Sequence, residues 1–281
     1  MGLFDGCLLA SDIDNTLIAS GYINPRVIDA IQFFVKEGGY FALSTGRCPS
    51  ALAPILSLLP KGVVGPSDIE NGCCIYDFEN DRTLYESTVS KEDMQVIYKI
   101  KERFPEVGFE LYTGKKIYIM NNNQELVDHE EYEWLTVEEI SCEKADEISW
   151  NKVLMASQTP EIFEEVKEFI KNIGLKESAM TDTNVVLEGR MRQYLEFWRS
   201  GINKATSLKL LCNMLNIKEG CYFAIGDYYN DLEMIDSADI GAATEDAPDD
   251  VKALAGFISC SAKDGAVADF IDHLTAIMSQ Q

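Results

Sequence analysis

Two acidic segments, more than two hundred residues apart, carry the side chains of this chain that are best suited to chemistry. The first is Asp12-Ile13-Asp14-Asn15-Thr16, directly after the apolar run 7–10, and the second is 226–231, directly after the apolar run 222–225. Short apolar runs of this kind are typical of buried parallel strands, so both segments begin loops at strand ends. Carboxylates placed so close together repel one another, and Mg²⁺, which takes oxygen ligands, neutralises them. We therefore predict one composite metal site, although either segment alone is also consistent with a solvated acidic loop.

Further polar residues follow the same pattern of strand ends and helix starts. Ser44, Thr45 and Arg47 come directly after the apolar run 40–43. Lys204 opens an amphipathic helix pattern, where its charge opposes the helix dipole unless an anion lies nearby. Each has an ordinary alternative: a hydroxyl that caps the next turn, an arginine in an ion pair and a lysine on the surface.

The composition limits the classes of function. The chain has 281 residues, 46% hydrophobic content and a formal net charge of −23, which argues against nucleic-acid or anionic-membrane binding. Residues 125–147 contain ten acids against one lysine, and we interpret them as a solvated acidic face. Two histidines leave little scope for a Ser-His-Asp triad or a multi-histidine zinc site.

Cysteines and apolar runs indicate the compartment. None of the eight cysteines forms a Cys-x-x-Cys pair, and several lie in strand-like runs where they act as small core hydrophobes. The first residues lack a basic segment and a long apolar stretch, and no run approaches the roughly 20 apolar residues of a membrane span. We expect a cytoplasmic protein that binds no membrane.

The order of predicted elements indicates two kinds of architecture. Residues 7–43 form a strand, a helix from about 25 to 37 and a second strand, which is a βαβ unit of a parallel sheet. Hairpin patterns mixed with helices follow, at 109–120 and around 182–184, and indicate an antiparallel sheet. Alternation of strand and helix resumes after about residue 190, starting with a strand at 194–198. We predict an α/β fold: a doubly wound, Rossmann-like parallel core (1–82 and 190–281) with an inserted α+β cap domain (83–189).

Together these motifs resemble those of the haloacid dehalogenase-like phosphohydrolases, in the same order and across essentially the whole chain. Asp12-Ile13-Asp14-Asn15-Thr16 resembles the first motif, 44–47 the second, Lys204 the third and 226–231 the fourth. Glu70-Asn71-Gly72 and the insertion after it resemble the Cof-type subgroup with a type IIB cap. The chain carries Asn15 where many relatives have glycine, and Asn tolerates the unusual backbone angles such a position requires.

The resemblance implies a role for each candidate. Asp12 would attack phosphorus and form an aspartyl-phosphate, and Asp14 would act as general acid and base. Mg²⁺ would be held by Asp12, by the backbone carbonyl of Asp14, by Asp227 and by Asp231, which binds directly or through water. The phosphoryl group would be bound by residues of the second to fourth motifs: Thr45, with Ser44 and Arg47 as weaker candidates, Lys204 and Asn230. Asp231 has the alternative role of a helix N-cap.

The resemblance also implies a magnesium-dependent phosphatase that acts on a small phosphorylated metabolite. A sugar phosphate is the first expectation, ahead of nucleotides and pyridoxal phosphate. The alternatives are a phosphotransferase or phosphomutase on the same scaffold, a signalling receiver and a non-catalytic phosphate-binding protein. Specificity is expected to reside in the cap, with Glu70 and Asn71 at the substrate entrance. The cap sequence offers several candidates for contacts with the substrate, but no pattern ranks them: Tyr112, Lys115, Lys116, Glu188 and Arg190. A monomer and a homodimer are both compatible with the sequence.

Overall fold

The protein is described from a computed structural model that covers residues 2–133, 135–187 and 190–280. In this range the strands are β1 (Leu8–Ser11), β2 (Tyr40–Leu43), β3 (Ser67–Ile69), β4 (Cys74–Asp77), β5 (Arg82–Glu86), β6 (Gly108–Tyr112), β7 (Ile117–Met120), β8 (Val137–Glu139), β9 (Lys152–Ala156), β10 (Ser178–Leu187), β11 (Arg190–Arg199), β12 (Tyr222–Gly226), β13 (Ile240–Thr244) and β14 (Phe257–Ser259). The helices are α1 (Pro25–Lys36), α2 (Pro49–Leu56), α3 (Lys91–Arg103), α4 (Gln124–Glu133), α5 (Cys142–Ala145), α6 (Ile162–Ile173), α7 (Lys204–Leu215), α8 (Leu232–Ser237), α9 (Asp249–Leu254) and α10 (Ala266–Met278). Short 3₁₀ helices span Glu70–Gly72, Tyr229–Asp231 and Ala262–Asp264.

A five-stranded parallel sheet forms the centre of the first compact unit. Its strand order is β14-β13-β12-β1-β2, so β1 and β12 lie side by side although they are far apart in sequence. Every residue of β1 is buried, as expected for a strand that is covered on both faces. Leu8, Ala10 and Ala42 pack against Leu208 and Leu211 of α7. The structure confirms the predicted α/β, Rossmann-like core.

The sequence explains where the first helix begins. Asn24 accepts a hydrogen bond of 3.0 Å from the backbone N–H of Arg26, and Pro25 occupies the first helical position, where its missing N–H costs nothing. Its buried side chains, Val27, Ile31 and Phe34, recur at helical spacing. The predicted helix at about 25–37 is therefore confirmed.

Strand β3 supports the loop that follows β2. The backbone N–H of Leu43 donates to Ser67 Oγ, and the N–H of Thr45 donates to the carbonyl of Asp68. The turn after β3 continues the contact, because Asn71 N–H donates to Thr45 O and Glu70 N–H donates to Arg47 O. Four hydrogen bonds donated by backbone N–H groups thus tie residues 67–71 to residues 43–47.

The chain divides into two compact units, the first made of Met1–Arg47, Ala53–Tyr85 and Asn203–Gln281. The second consists of Cys48–Leu52 and Glu86–Ile202 and contains a six-stranded sheet of order β10-β11-β9-β6-β7-β8. Its pairings are antiparallel except for β7 with β8, and the predicted hairpin of β6 and β7 is present. Helices α3 and α6 contribute to the apolar core of this unit.

One predicted strand lies in a different sheet from the expected one. Residues 194–198 were predicted to begin the second half of the parallel core, but they belong to β11, which pairs with β9 and β10 in the six-stranded sheet. Residues 182–184, predicted as part of a hairpin, lie within β10. The alternation of buried residues identifies a strand but not its partners, so the boundary between the two units near residue 202 was not visible in the sequence.

Within the described residues, no helix is long and apolar enough to cross a membrane.

Candidate active site

Polar residues of the first, second and fourth motifs lie at the carboxyl ends of adjacent parallel strands. Asp12 directly follows β1, and its backbone N–H donates to the carbonyl of Ile225 in β12. Thr45 follows β2, the neighbour of β1 on the other side, and Asp227 follows β12. This edge is where open α/β sheets bind ligands.

Lys204 joins the first motif to the fourth. Its ammonium Nζ donates to Asp12 Oδ1 and to Asp231 Oδ1, both at 2.6 Å, and the three side chains are nearly inaccessible to solvent. Burial would lower the pKa of Lys204, but the two carboxylates outweigh burial and raise it. Lys204 is therefore a protonated partner of Asp12 and not a surface lysine.

Asn203 fixes the start of the helix that carries this lysine. Its side chain accepts from the backbone N–H of Thr206 at 2.9 Å, while Thr206 Oγ1 accepts from Asn203 N–H. This reciprocal capping box satisfies donors that the helix end would otherwise leave unpaired. The Lys204 side chain therefore extends from a helix turn whose start is fixed by the capping box.

Three carboxylates have the composition of a cation site. Among the described residues, Asp12, Asp227 and Asp231 each place an oxygen within 4.8 Å of the others. Burial raises the pKa of Asp12 well above its ordinary value, and the charges of Asp231 and Asp227 add to this effect against the opposing charge of Lys204. Burial likewise raises the pKa of Asp227 to about 6. A divalent cation relieves this repulsion, and an all-oxygen donor set suits Mg²⁺.

Asp231 organises the cluster as well as contributing charge to it. Besides Lys204, its carboxylate accepts the backbone N–H groups of Asp227 and Tyr228 through Oδ2, at 3.0 and 3.2 Å. It immediately precedes α8 but forms no side-chain capping bond with that helix. The alternative role as an N-cap of α8 therefore does not apply. Asp12 and Asp227 remain the better candidates for direct ligands.

Thr16 is the last residue of the first motif, but it was not predicted as a site residue. It is fully buried, and its hydroxyl donates to Asp227 Oδ1 at 3.0 Å, so it connects the loop after β1 to the loop after β12. Asn15 has a φ of 60°, the left-handed conformation that Asn adopts more readily than most residues. The expectation that Asn15 tolerates this position agrees with the structure.

Asp14 and Arg47 form an ion pair. Arg47 Nε donates to Asp14 Oδ2 at 2.8 Å and Nη2 donates to Oδ1 at 3.0 Å. The Asp14 side chain is 56% exposed, whereas that of Arg47 is 19% exposed. Of the two roles left open for Arg47, the structure shows the ion pair, in a bidentate geometry that fixes the carboxylate plane. The Asp14 carboxylate lies outside the cluster of three carboxylates.

The two hydroxyls of the second motif have different surroundings. Ser44 is fully buried, and its hydroxyl donates to Asp68 Oδ2 at 2.7 Å, so its hydrogen is directed away from the predicted phosphoryl contact. Thr45 Oγ1 accepts the backbone N–H of Arg47 at 3.2 Å, which leaves its own hydrogen for another acceptor. Of the two, Thr45 is the better donor to a phosphoryl group.

The remaining candidates are more scattered. Asn230 is exposed, and among the described residues its side chain forms no hydrogen bond to Lys204. Glu70 is buried, and Asn71 has a positive φ and packs close to Gly46.

The candidates of the second unit differ in exposure. Tyr112 is buried, whereas Lys115 and Lys116 are exposed. Arg190 lies in β11, and Glu188 lies outside the described residues. Buried ionisable side chains there that the sequence did not single out include Asp93, Glu110, Lys152 and Glu196.

Comparison with known proteins agrees with this geometry. Residues 9–271 match the family model of the haloacid dehalogenase-like hydrolases. A phosphatase of Bacillus subtilis is 26% identical, over 95% of this chain and 99% of its own length. A second relative from that organism, a 5-amino-6-(5-phospho-D-ribitylamino)uracil phosphatase, is also 26% identical, over 95% of this chain and 94% of its own.

Solved structures share the fold over nearly the whole chain. A haloacid dehalogenase-like hydrolase from Bacteroides thetaiotaomicron superposes with a TM-score of 0.79 at 24% identity, over 95% of this chain and 99% of its own. A sugar phosphatase of subclass IIB superposes with a TM-score of 0.77 at 20% identity, over 95% and 98% of the two chains. The family match and this fold confirm the resemblance predicted from the motifs: the chain belongs to the haloacid dehalogenase-like hydrolases.

Proposed function

We propose that this protein is a magnesium-dependent phosphatase that hydrolyses a small phosphorylated metabolite through an aspartyl-phosphate on Asp12. The observation that carries the proposal is the buried contact of Asp12 with Lys204, 2.6 Å long, beside Asp227 and Asp231. A carboxylate held by a cation on one oxygen keeps the other oxygen for attack. The names of the relatives, which are phosphatases, support the same reaction class.

In the first half of the reaction, Asp12 attacks phosphorus and the bond from phosphorus to the ester oxygen breaks. In the second half, water attacks the aspartyl-phosphate and releases inorganic phosphate, so Asp12 is regenerated. Lys204 offsets the charge of the phosphoryl group, and Thr45 donates a hydroxyl hydrogen bond to it. Both groups are positioned before substrate binds, because Lys204 starts a capped helix and Thr45 is tied to residues 68 and 71.

Asp14 is the proposed general acid and base. It lies two residues beyond the nucleophile, protonates the leaving ester oxygen and later takes the proton of the attacking water. Arg47 orients its carboxylate through two hydrogen bonds. Since Asp14 is more exposed than Asp12, protons can reach it from solvent between turnovers.

Asp12 and Asp227, with the backbone carbonyl of Asp14 and with Asp231 directly or through water, are the proposed holders of Mg²⁺. When bound, Mg²⁺ would supply charge neutralisation for the Asp12 nucleophile and the phosphoryl group. The mutual repulsion of Asp12, Asp227 and Asp231, which contributes to the raised pKa of Asp12 and of Asp227, is what a bound cation would relieve.

Sugar phosphates are the proposed substrate class, because one fold relative is described as a sugar phosphatase. The uracil phosphatase among the relatives acts, by its name, on a phosphorylated ribityl chain, which is also a polyol phosphate. Transfer of the phosphoryl group to a sugar hydroxyl is the second candidate, since the same intermediate serves both reactions. We expect a monomer or homodimer and no nucleic-acid partner.

We further propose that the second unit selects the leaving group. Lys152 and Glu196 form a buried ion pair of 2.9 Å on its sheet, and Lys152 Nζ lies 4.4 Å from the centre of the Tyr112 ring. Removing two charges from water costs about as much as their attraction returns, so stability alone does not account for the pair, although loss of one partner would leave the other charge buried and unpaired. The double variant Lys152→Met/Glu196→Gln, which leaves no unpaired charge, is expected to raise KM for the preferred metabolite while leaving turnover of a small aryl phosphate nearly unchanged.

The test is phosphate release from a panel of sugar phosphates, nucleotides and pyridoxal phosphate, with Mg²⁺ or with a chelator. Native protein is compared with Asp12→Asn and with the matched variant Asp29→Asn, which changes an exposed aspartate on α1. Release that needs Mg²⁺, is lost in Asp12→Asn and is retained in Asp29→Asn supports the proposal. Release from none of the compounds by folded native protein contradicts it, and release only when a sugar acceptor is added identifies a phosphotransferase.

A further inference from the structure

We propose that Asp68 is a positioning residue that works as a neutral carboxylic acid and holds the Ser44–Thr45 turn against the first turn of α7. This inference rests on the proposed phosphatase function for its kinetic test. Asp68 lies in β3, outside the motifs of the family, and its side chain is completely buried. A buried carboxyl group without a cationic hydrogen-bond partner is costly, so its presence calls for a reason.

The contacts of Asp68 reach two parts of the active site. On one side, its Oδ2 accepts the Ser44 hydroxyl at 2.7 Å and its carbonyl accepts the Thr45 N–H at 3.1 Å. On the other side, Ser207 in the first turn of α7 faces the carboxyl group. Lys204 begins that turn, so Asp68 lies between the proposed phosphoryl donor Thr45 and the proposed partner of the nucleophile.

The hydrogen-bond geometry leaves one oxygen of the Asp68 carboxyl group available for a proton. Oδ1 of Asp68 is buried and has no hydrogen-bond partner among the described residues. The Ser207 hydroxyl donates to the carbonyl of Lys204 at 3.1 Å, so it presents lone pairs, not a hydrogen, to Asp68. A proton on Oδ1 can be donated to Ser207 Oγ, which completes a chain from Ser44 through Asp68 and Ser207 to the backbone of Lys204.

The electrostatic surroundings agree with that chain. Burial raises the pKa of Asp68 to about 7, against the opposing effects of the Ser44 hydroxyl, Lys204 and the Gly72 N–H. The titratable groups that face Asp68 are Lys204 from α7 and Tyr222 from β12. Lys204 is already paired with Asp12 and Asp231, so its charge is shared with those carboxylates.

The kinetic test compares Asp68→Ala with the conservative variant Asp68→Asn. Loss of the link is expected to lower kcat of Asp68→Ala by roughly tenfold to a hundredfold, because a small misplacement of reacting groups is costly, with a much smaller change in KM. Asp68→Asn, a neutral side chain that both donates and accepts, is expected to restore most of kcat. Full kcat in Asp68→Ala, or equal loss in both variants, would overturn the proposal.

Two further readouts separate positioning from a general loss of structure. Ser44→Ala is expected to lower kcat in the native background but not in Asp68→Ala, because both substitutions break one link. The ratio of kcat of native protein to that of Asp68→Asn is expected to fall as pH rises through about 7, where native Asp68 ionises. Additive effects of Ser44→Ala and Asp68→Ala, or a ratio independent of pH, would contradict the proposal.

Unfolding provides a test that needs no substrate. Between the ordinary pKa of an unfolded aspartate and about 7, the folded native protein keeps a proton that the unfolded chain releases, so this group favours folding less as pH rises. The difference in Tm between Asp68→Asn and native protein should therefore grow from pH 4 to 7 and then level off. A constant difference would refute the neutral acid, even if no phosphate ester were hydrolysed.

Discussion

At the scale of single residues, charge is concentrated where phosphoryl chemistry requires it. Asp12 and Asp231 are buried and each contacts the buried Lys204, whereas Asp14 is exposed and paired with Arg47. These surroundings suit the two tasks proposed for these aspartates. The proposed nucleophile Asp12 must be aligned by a fixed cation, whereas the proposed acid and base Asp14 must exchange protons with water.

This difference predicts distinct kinetic effects for the two aspartates. Asp14→Asn is expected to lower kcat by ~10²–10⁴-fold, the usual contribution of general acid–base catalysis, with little effect on KM. The loss should be smaller for esters with good leaving groups, such as an aryl phosphate, because these depart without protonation. An equal loss for alkyl and aryl esters, measured by steady-state kinetics, would argue against the proton-transfer role.

Sequence patterns identified the charged residues but not all of their partners. Asp12, Asp227 and Lys204 were predicted because carboxylates at strand ends and a lysine at a helix start are conspicuous by type and position. Asp68 was not predicted, since one acid in a short strand shows neither its burial nor its contact with Ser44. Ser44 was predicted to bind phosphate, and only the three-dimensional neighbourhood shows where its hydroxyl points.

At the scale of elements, β3 and the turn after it support the second motif and the start of α7. Residues 67–71 hold residues 43–47 through five hydrogen bonds, four of them donated by backbone N–H groups, and Gly72 lies directly against the backbone of Asn203, the cap of α7. The segment therefore sets the separation between Thr45 and Lys204. Local sequence patterns do not show that these segments brace one another.

Gly72→Ala tests this support. A Cβ at Gly72 would lie 2.3 Å from the Asn203 carbonyl oxygen, in addition to the strain of a φ of +97°. The matched control is Gly62→Ala, which has a φ of +79° and no atom within 4 Å of the added Cβ. We expect Gly62→Ala to cost about 1–2 kcal/mol of unfolding free energy from backbone strain, and Gly72→Ala to cost about 1–3 kcal/mol more from overpacking.

Urea unfolding gives both free energies, and kcat shows whether the active site is affected. Gly72→Ala should also lower kcat, because the start of α7 must shift to accommodate the methyl group. Equal costs for the two substitutions, with unchanged kcat, would show that Gly72 does not control the position of α7.

The assignment of elements to sheets was the part of the fold that the sequence predicted least well. Helix α1 and the hairpin of β6 and β7 were predicted because caps, proline and a Thr-Gly turn are local signals. Residues 194–198 were placed in the wrong sheet, because their apolar pattern suits a buried strand of either one. Non-local pairing decides this, and a single sequence does not encode it in any short window.

At the scale of the whole molecule, a net charge of −23 shapes both stability and cation binding. Self-repulsion destabilises the compact state, and salt screens it. The proposed Mg²⁺ site would add a separate effect, since a ligand that binds only the folded state stabilises it by about 2.7 kcal/mol at a hundredfold excess over Kd.

The two effects can be separated by thermal unfolding. Mg²⁺ is expected to raise Tm more than NaCl of the same ionic strength, and the extra increase should disappear in Asp227→Asn. The matched variant Asp236→Asn changes an exposed aspartate of α8 and should keep the increase. Identical increases with Mg²⁺ and NaCl in native protein would contradict a specific cation site.

The central claim is that Asp12 carries the phosphoryl group during turnover, and trapping of the intermediate tests it most directly. Native protein is mixed with a phosphate ester from the panel that it hydrolyses, and the reaction is quenched in acid within the first turnover. The quenched protein is then reduced with borohydride, which converts an acyl phosphate to an alcohol. Peptide mass spectrometry is expected to find homoserine at position 12 and unmodified Asp14, with no such product in Asp12→Asn. Rapid turnover with no modification at Asp12, or modification at another residue, would contradict the account.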